Sequence, residues 1–571
     1  MCGFLGVVGR YDEKRAKESL NLLIHRGKDF QGFYKDKNIF LGHNRLYILN
    51  KDVNQPLIKD NKVLVFNGEI YNYKDFDVLS DTEAIIKAYP NFEKLEGMFS
   101  FGIYDKKNLY LAKDIFGKKP LYFYKNSEIF IFALEIKAIL HYIKKAEFNK
   151  NALSCYLSFG SIPNRSTFYK DIYKINSGEI LKFDIENFSY EIDRFDTLLK
   201  KENGDIEKIL IDSIRKRLQG DFEVASLLSG GVDSSLVSAL AKQEQKKLTT
   251  YSIGYKEEKY SELKYAKIVA NHIKSEHKEF IFTKDDFFES FDFLIDHFDE
   301  PIGDSASLPL YFLFKQIKKD GFRVVLSGEG GDEIFLGYRQ YFEFLDLYRA
   351  KNLKYKNWLK NYFKSNFSPN KEWEWYKRVF NDEVIFRSSC EVFTDLQKNL
   401  FLKQNVKDNE SLLCIKGHLD EWRNSNFEKE VDFFTFLDLK VRLESLYLKK
   451  LDMVSMANTI EARTPLLDKR LLYAAFSKKR DKEPKYILKK IAAKYIPKEI
   501  IERKKRGFSY PHMEWLKNSQ YILKIEKINK EVRFFKEEQL KFLIKNAKRN
   551  RFSRHFWLVL AFLLWFERRF L

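Results

Sequence analysis

The sequence predicts an α/β protein of two domains. A layered, mostly β domain comes first, and a doubly wound parallel sheet with a helical extension follows. Three observations predict this. Short apolar runs separated by turn residues fill the chain to about Phe188. Strand-like and helix-like runs alternate from Gly220 onward. Two of the later strands end in Ser-Gly loops that also carry an acidic residue, at 229–233 and 327–332.

In the first domain the runs at 4–8, 39–42, 63–66, 101–104, 109–111, 121–124 and 129–132 read as strands. Cys2 directly follows the initiator methionine. Removal of Met1 would leave an α-amine titrating at roughly 8, next to its own thiol, and such an amine can take the thiol proton. Taken alone, a cysteine at the second position most often means nothing. Asn67-Gly68 by itself reads as a hairpin turn. A polar stretch at 187–202 places the boundary near residue 200, giving domains 1–200 and 201–571.

The second domain begins with an apolar run at 224–228, followed by Ser229-Gly230-Gly231-Val232-Asp233-Ser234-Ser235 and a helical run from Leu236. A strand that turns on two glycines into a helix aims backbone N–H groups and the positive end of the helix dipole at one point. That is a cradle for phosphate, with Leu228, Ser229, Gly230, Gly231 and Ser234 as its residues. Asp233 fits beside a phosphate only with a cation such as Mg2+ between them. The strand at 322–326 ends in Ser327-Gly328-Glu329-Gly330-Gly331-Asp332-Glu333. Two strands of one sheet would thus bring similar loops to one edge, where open α/β sheets bind nucleotides. Neither loop ends in the lysine of the Gly-x-x-x-x-Gly-Lys phosphate loop. Strands at 248–253 and 279–282 and helices at 263–272, from 285 and at 308–319 complete the alternation. Ile253 ends its strand at the nucleotide edge, where it could flank a base. Asp299-Glu300-Pro301 and Asp304 lie on a loop reaching the same edge.

The first loop resembles that of the ATP pyrophosphatases. With the second loop, it resembles the synthetase half of the glutamine-dependent asparagine synthetases. The stretches Leu448-Lys449-Lys450-Leu451-Asp452, Glu461-Ala462-Arg463-Thr464-Pro465 and Lys504-Lys505-Arg506-Gly507-Phe508 match the same pattern. Upstream, Cys2, His25-Arg26-Gly27, Gly42-His43-Asn44-Arg45, Asn67-Gly68-Glu69, Asp81-Thr82-Glu83 and Lys113-Asp114 resemble the glutaminase domain of the class II, amino-terminal nucleophile amidotransferases.

That resemblance implies a layered αββα glutaminase domain joined to an ATP pyrophosphatase domain. It implies that Cys2 attacks the glutamine side-chain amide while Asn67 and Gly68 hold the oxyanion. Arg45 would take the substrate α-carboxylate, and Glu69 and Asp81 its α-ammonium. ATP would lie between the Ser229 loop and Ser327-Gly328, flanked by Ile253, with Lys505 on phosphate and Mg2+ held by Asp233 and Asp332. Glu329 would sit by the intermediate. The implied reaction is ATP-dependent synthesis of asparagine from aspartate, through a β-aspartyl adenylate and ammonia carried along a dry internal passage. The same motifs would serve a glutamine-dependent enzyme acting on another carboxylate, such as a sugar acid of a surface polysaccharide. A tRNA-modifying ATP pyrophosphatase is a further alternative, against which the glutaminase motifs argue. The chain departs from the family at Lys28, usually proline, and at Lys113, usually arginine. It also has only residues 73–80 between Asn72 and Asp81, too few for a packed helix with its connections. Asp81 must therefore arrive by a shorter path.

The composition is that of a globular protein, 44% hydrophobic and 16% aromatic over 571 residues. The net charge of +20 comes from lysines spread along the whole chain, which reads as a solvated surface more than a nucleic-acid footprint. Trp358, Tyr362, Trp373, Trp375 and Tyr376 among lysines read as aromatic core with solvated lysine. The cysteines at 2, 155, 390 and 414 suggest neither a metal site nor a disulfide framework, and a cytoplasmic setting is expected. The apolar run at 556–566 is too short to span a bilayer and reads as a core helix. Glutamine, ATP and aspartate are the expected partners. No nucleic acid or membrane is expected, and a homodimer is left open.

Overall fold

A computed structural model of the chain describes residues 1–571 except Asp408, Lys505, Arg506 and Phe508. Two six-stranded antiparallel sheets build the first domain. Strand Gly3–Gly9 lies between Ile39–Arg45 and Ile129–Ala133 in one sheet, and Lys62–Ile70 pairs with Gly97–Tyr104 in the other. The two-residue period of a strand sorts its side chains. Phe4 and Val8 pack between the sheets with Val63, Val65 and Leu111, while Leu5 and Val7 point to the outer side. Helices Glu13–Asn21 and Ile136–Ile143 cover that outer side, and helix Asp81–Ala88 covers the second sheet. The layering is therefore αββα, as the resemblance implies. Asn67-Gly68 lies inside strand Lys62–Ile70 and not in a hairpin turn.

Five parallel strands form the second domain, in the order Glu276–Ile281, Thr249–Gly254, Val224–Leu227, Val324–Leu326, Glu461–Arg463. The last of these is absent from the sequence reading. Three residues carry too little apolar periodicity to announce a strand, and Glu461 and Arg463 are charged yet fully buried. Helix Ser553–Phe570 buries its apolar run completely, and no described helix is long and apolar enough to cross a membrane.

Two expectations are corrected. Cys155, on helix Lys150–Phe159, and Cys414, at the end of helix Glu410–Cys414, form a disulfide across 259 residues of sequence, a pairing that spacing cannot show. The aromatic residues of the lysine-rich extension are core only in part. Trp375 is buried, but Trp358 is 65% exposed and Tyr362 and Tyr376 are 42% exposed.

Candidate functional site

The first centre gathers around Cys2, which immediately precedes strand Gly3–Gly9 and is buried. Its backbone N–H donates to Asn67 Oδ1 at 2.9 Å, and its Sγ lies 4.0 Å from the Leu46 carbonyl. The Asn67 Nδ2 group is buried and has no hydrogen-bond partner among the described residues. Buried donors are normally satisfied, so an unpaired one beside a thiol marks a place for an incoming oxygen. Gly68 has φ +144, and a Cβ there would lie 1.9 Å from the Met98 carbonyl, so only glycine fits. Burial pushes the Cys2 thiol up, opposed by the terminal ammonium and by Arg45.

Arg45 ends its strand beside the thiol, but its guanidinium is engaged. It donates to the carbonyls of Asn50 at 2.5 Å, Lys51 at 2.7 Å and Leu49 at 3.4 Å, and to Asn54 Oδ1 at 3.2 Å. Residues 73–80 solve the short connection with the single tight turn Tyr73–Phe76. Ser80 then caps helix Asp81–Ala88, so Asp81 opens it. Burial pushes the Asp81 carboxyl up to about 6, and burial and Glu461 push Glu69 well above the usual range. Arg463 from the parallel sheet of the second domain stands 3.4 Å from Glu69 and 2.5 Å from Glu461. The buried Met1 ammonium lies 3.4 Å from Glu461, so this acid cluster already faces an ammonium.

The second centre lies at the carboxyl edge of the parallel sheet. Strands Val224–Leu227 and Val324–Leu326 are adjacent, with Ser226 opposite Leu326, which sets their two loops side by side. A Cβ on Gly328 would lie 2.8 Å from the Ser234 nitrogen, and one on Gly331 2.6 Å from Asp233 Oδ1. Gly230 has φ +72 and lies against the Ala266 backbone. The Ser234 hydroxyl accepts from the Ser229 N–H at 3.1 Å, folding the cradle over the start of helix Val232–Glu244. Ile253 is half-buried in the neighbouring strand, close to its carboxyl end, and the Leu228 N–H donates to the Tyr251 carbonyl of that strand at 2.8 Å. Lys485 Nζ bridges Asp233 and Asp332, 2.6 Å from Asp332 Oδ1. Against the pull of burial, the two carboxylates hold its ammonium well above the usual lysine range. Glu329 is raised by burial and by the acids Asp304, Asp332 and Asp233, with Lys450 opposing. Lys450 pairs with Asp304 at 2.8 Å. Lys505, placed on phosphate by the resemblance, lies outside the described residues.

The loop after residue 298 divides its acids. Asp299 accepts from the Ile136 N–H at 2.6 Å and so turns to the first domain, away from the nucleotide edge. Glu300 pairs with Lys449 and accepts from the Phe168 N–H. Lys113 pairs with Glu444 at 3.0 Å and Arg26 with Asp452 at 2.9 Å, both joining first-domain to second-domain residues.

Several cavities lie along this boundary among the described residues, and three of them share lining residues in series. One, of about 230 Å³, is lined by Met98, Lys118, Asp452 and Thr464. The next, of about 460 Å³, shares Lys118 with it and adds Gly117, Tyr122, Ile162, Lys174 and Glu444. The third, of about 350 Å³, shares Ile162, Glu300, Ser445 and Lys449 with the second and ends at Asp304 and Lys450. The series runs from behind the Gly68 backbone to the neighbourhood of Glu329.

Asp233 and Asp332 supply hard oxygen donors of the kind a divalent cation prefers, and the Lys485 ammonium lies between them in this structure. His25, Glu135 and His297 also lie within metal-ligand reach of one another. Arg26 and Lys137 already pair with Glu135, which leaves that group poorly suited to a further cation.

Residues 205–567 match the asparagine synthase family model, and residues 1–195 match that of the glutamine amidotransferase domain. The chain belongs to the asparagine synthase family. As a member it is a ligase, a glutamine-dependent amidotransferase with a synthetase domain, and it uses glutamine and ATP. Glutamine-hydrolyzing asparagine synthetase 1 of Bacillus subtilis is 29% identical over 99% of this chain and 96% of its own length. A glutamine-hydrolyzing asparagine synthetase named as putative, from Methanocaldococcus jannaschii, is 34% identical over 59% of this chain and 76% of its own. Asparagine synthetase B of Escherichia coli K12 is 32% identical over 62% and 66%.

Sequence reasoning missed Lys485 and the Glu461–Arg463 strand. No signal distinguishes Lys485 from the other lysines of the extension. The second was visible only as part of a motif match, which gave no hint that Arg463 reaches Glu69.

Proposed function

We propose that this asparagine synthase family member makes asparagine from aspartate, ATP and glutamine in two coupled sites. The observation that carries the reading is the pair of adjacent loops at Ser229 and Ser327 in the same chain as the unpaired Asn67 amide beside Cys2. With Met1 removed, the Cys2 α-amine takes the thiol proton and Sγ bonds to the amide carbon of glutamine. Asn67 Nδ2 and the Gly68 N–H hold the oxyanion. The C–N bond breaks, the amine returns its proton to the leaving nitrogen, and water later frees glutamate from the thioester. Arg45 takes the glutamine α-carboxylate, an anion that competes well with neutral loop carbonyls. Glu69 and Asp81 receive the α-ammonium.

At the second site the aspartate β-carboxylate attacks the α-phosphorus of ATP and pyrophosphate leaves. The amino end of helix Val232–Glu244 and Lys485 balance the phosphate charge. Mg2+, held by Asp233 and Asp332, would neutralise charge building on the phosphate oxygens. Glu329, its carboxyl raised by burial, takes the proton that ammonia sheds as it displaces AMP. The connecting cavities are not dry in their lining, since Lys113, Lys118, Lys174 and Lys449 face them. Burial brings Lys118 and Lys174 down to about 7. Lys113 pairs with Glu444 and Lys449 with Glu300, so the lining is charge-balanced, and lysines brought down to about 7 can take a proton from ammonium and leave neutral ammonia, the competent nucleophile.

The acceptor is tested by supplying glutamine and ATP with a panel of acids, aspartate and sugar acids among them. AMP and asparagine should form with aspartate. AMP released on a different acid, with no asparagine, overturns the assignment.

Two more outcomes are expected. Ile162 lines both the second and third cavities, so Ile162→Trp should block the path. Glutamate should then form in excess over product, while synthesis from added ammonia persists; a coupling ratio like that of the unmodified protein would count against the route. Asp81 must be ionised to hold an ammonium, and its carboxyl is raised to about 6. The KM for glutamine should therefore rise as pH falls through 6, with the KM for ATP unmoved. Asp81→Asn should raise the KM at neutral pH and flatten that dependence.

A further inference from the structure

Arg442 lies in the stretch Leu439–Leu448, which winds as a π-helix between helices Glu430–Asp438 and Lys449–Met456. Such wide turns are rare and gather at functional sites. The winding sets Arg442 beside Tyr447, and its Nη2 donates to the Tyr447 hydroxyl at 2.6 Å. Its Nη1 donates to the Ser389 hydroxyl, also at 2.6 Å. The guanidinium carbon stands 3.8 Å from the centre of the Tyr338 ring and 4.9 Å from that of Tyr447. Asp438 and Glu333 are the acids whose charge reaches it, but neither forms an ion pair with it among the described residues. Asp438 accepts from the Ser388 hydroxyl, the Ser389 N–H and hydroxyl, and the Tyr341 hydroxyl. Glu333 accepts from the Tyr338 hydroxyl at 2.6 Å. Arg442 Nε is buried and has no hydrogen-bond partner among the described residues. Charges closed in by protein are normally paired, so a guanidinium between two rings without a carboxylate marks a place for an anion.

Both rings lead to the second centre. Tyr338 follows Gly337, where a Cβ would lie 2.0 Å from Asp332 Oδ1. Lys450 stands 4.5 Å from the centre of the Tyr447 ring, pairs with Asp304 and acts on Glu329. Three cations thus border this centre. Lys485 is held by Asp233 and Asp332, and Lys450 by Asp304, while Arg442 has no carboxylate among the described residues. We propose that Arg442 binds the carboxylate of the acceptor that does not react, and so selects a dicarboxylic acid. The inference rests on the reading that aspartate is the acceptor. Its β-carboxylate goes to the α-phosphorus, and its α-carboxylate then needs a cation of its own. The planar fork of an arginine suits a carboxylate better than an ammonium does. The two rings keep water from the pair, which strengthens it. A sugar acid with a single carboxylate would leave the guanidinium unmatched, and a site built for a charged group rejects a ligand that lacks it.

The test is steady-state kinetics of the full chain with ammonium as nitrogen source, so that the first centre takes no part. Arg442→Met should raise the KM for aspartate about thirtyfold or more, the loss expected when one partner of an enclosed charge pair is removed. The KM for ATP should stay within about a factor of two. Arg442→Lys keeps a charge but loses the fork, and should raise the KM for aspartate by a smaller factor. The α-amide of aspartate keeps the reacting carboxylate and lacks the other. It should be a poor acceptor for the unmodified protein, and Arg442→Met should make it no poorer. Glutamate release from glutamine, retained in both variants, shows that they fold. An unchanged KM for aspartate overturns the inference, as does a KM for ATP that rises as far, or an equal penalty on aspartate and its α-amide. In each of these outcomes asparagine is still made, so the reading of the acceptor stands. If the unmodified protein makes no asparagine from aspartate, that reading falls and the inference falls with it.

Discussion

Cys2→Ala should reduce product formation from glutamine by at least about a thousandfold and leave synthesis from added ammonia within a factor of two. The large loss follows from chemistry: without sulfur no thioester forms, and oxyanion donors alone hold no nucleophile. The small second effect follows from geometry. The Ser229 and Ser327 loops and the Asp233–Lys485–Asp332 cluster gather at the parallel sheet of the second domain, whereas the Cys2 Sγ lies 4.0 Å from the Leu46 carbonyl of the first. Losing one buried sulfur leaves a small void, and the Cys2 N–H bond to Asn67 Oδ1 is a backbone bond that alanine keeps. Glutamate release and AMP release, each measured with glutamine and with ammonium as nitrogen source, separate the two sites. A glutamine rate that survives the substitution would remove Cys2 as nucleophile, whatever the acceptor proves to be.

Much of this arrangement was legible in the sequence because it rests on local patterns. Alternating apolar runs marked the strands that flank Cys2, and the loops at Ser229 and Ser327 announced themselves by glycine between a strand and a helix. Asp81 arrives by the shorter path that the residue count required. The segment before it is too short for a helix, yet a single tight turn and a Ser80 cap bring it to the same buried cluster as Glu69. What the sequence hid depends on contacts between distant residues. Arg463 meets Glu69 across nearly four hundred positions, and Cys155 meets Cys414 across 259. The exposed rings of Trp358 and Tyr362 failed for the opposite reason. Aromatic residues are usually inside, and only the packing of a surface hairpin shows which face was left outside.

Lys485→Met should slow release of pyrophosphate and AMP by about a hundredfold or more while leaving glutamine hydrolysis in place. Lys485 Nζ bridges Asp233 and Asp332 at the mouth of the phosphate cradle, so its charge is fixed before substrate arrives. Preorganised charge of this kind, aimed where negative charge gathers, is worth about a hundred- to a thousandfold in rate when removed. Methionine keeps most of the apolar stem, so packing changes little while the cation disappears. The two carboxylates then face each other and the incoming phosphates without it, and like charges at short range resist ionising together. Lys485→Arg should recover only part of the loss. The guanidinium is broader than an ammonium, and a Cβ on nearby Gly337 would already lie 2.5 Å from the Lys485 stem, so the site has no spare room. Raising Mg2+ should help Lys485→Met more than the unmodified protein, because the freed carboxylates bind a divalent ion more strongly. If pyrophosphate release proves indifferent to the loss of Lys485, the charge that balances ATP here must come from elsewhere, and the pairing of Lys485 with Asp233 and Asp332 is structural support for the loops alone.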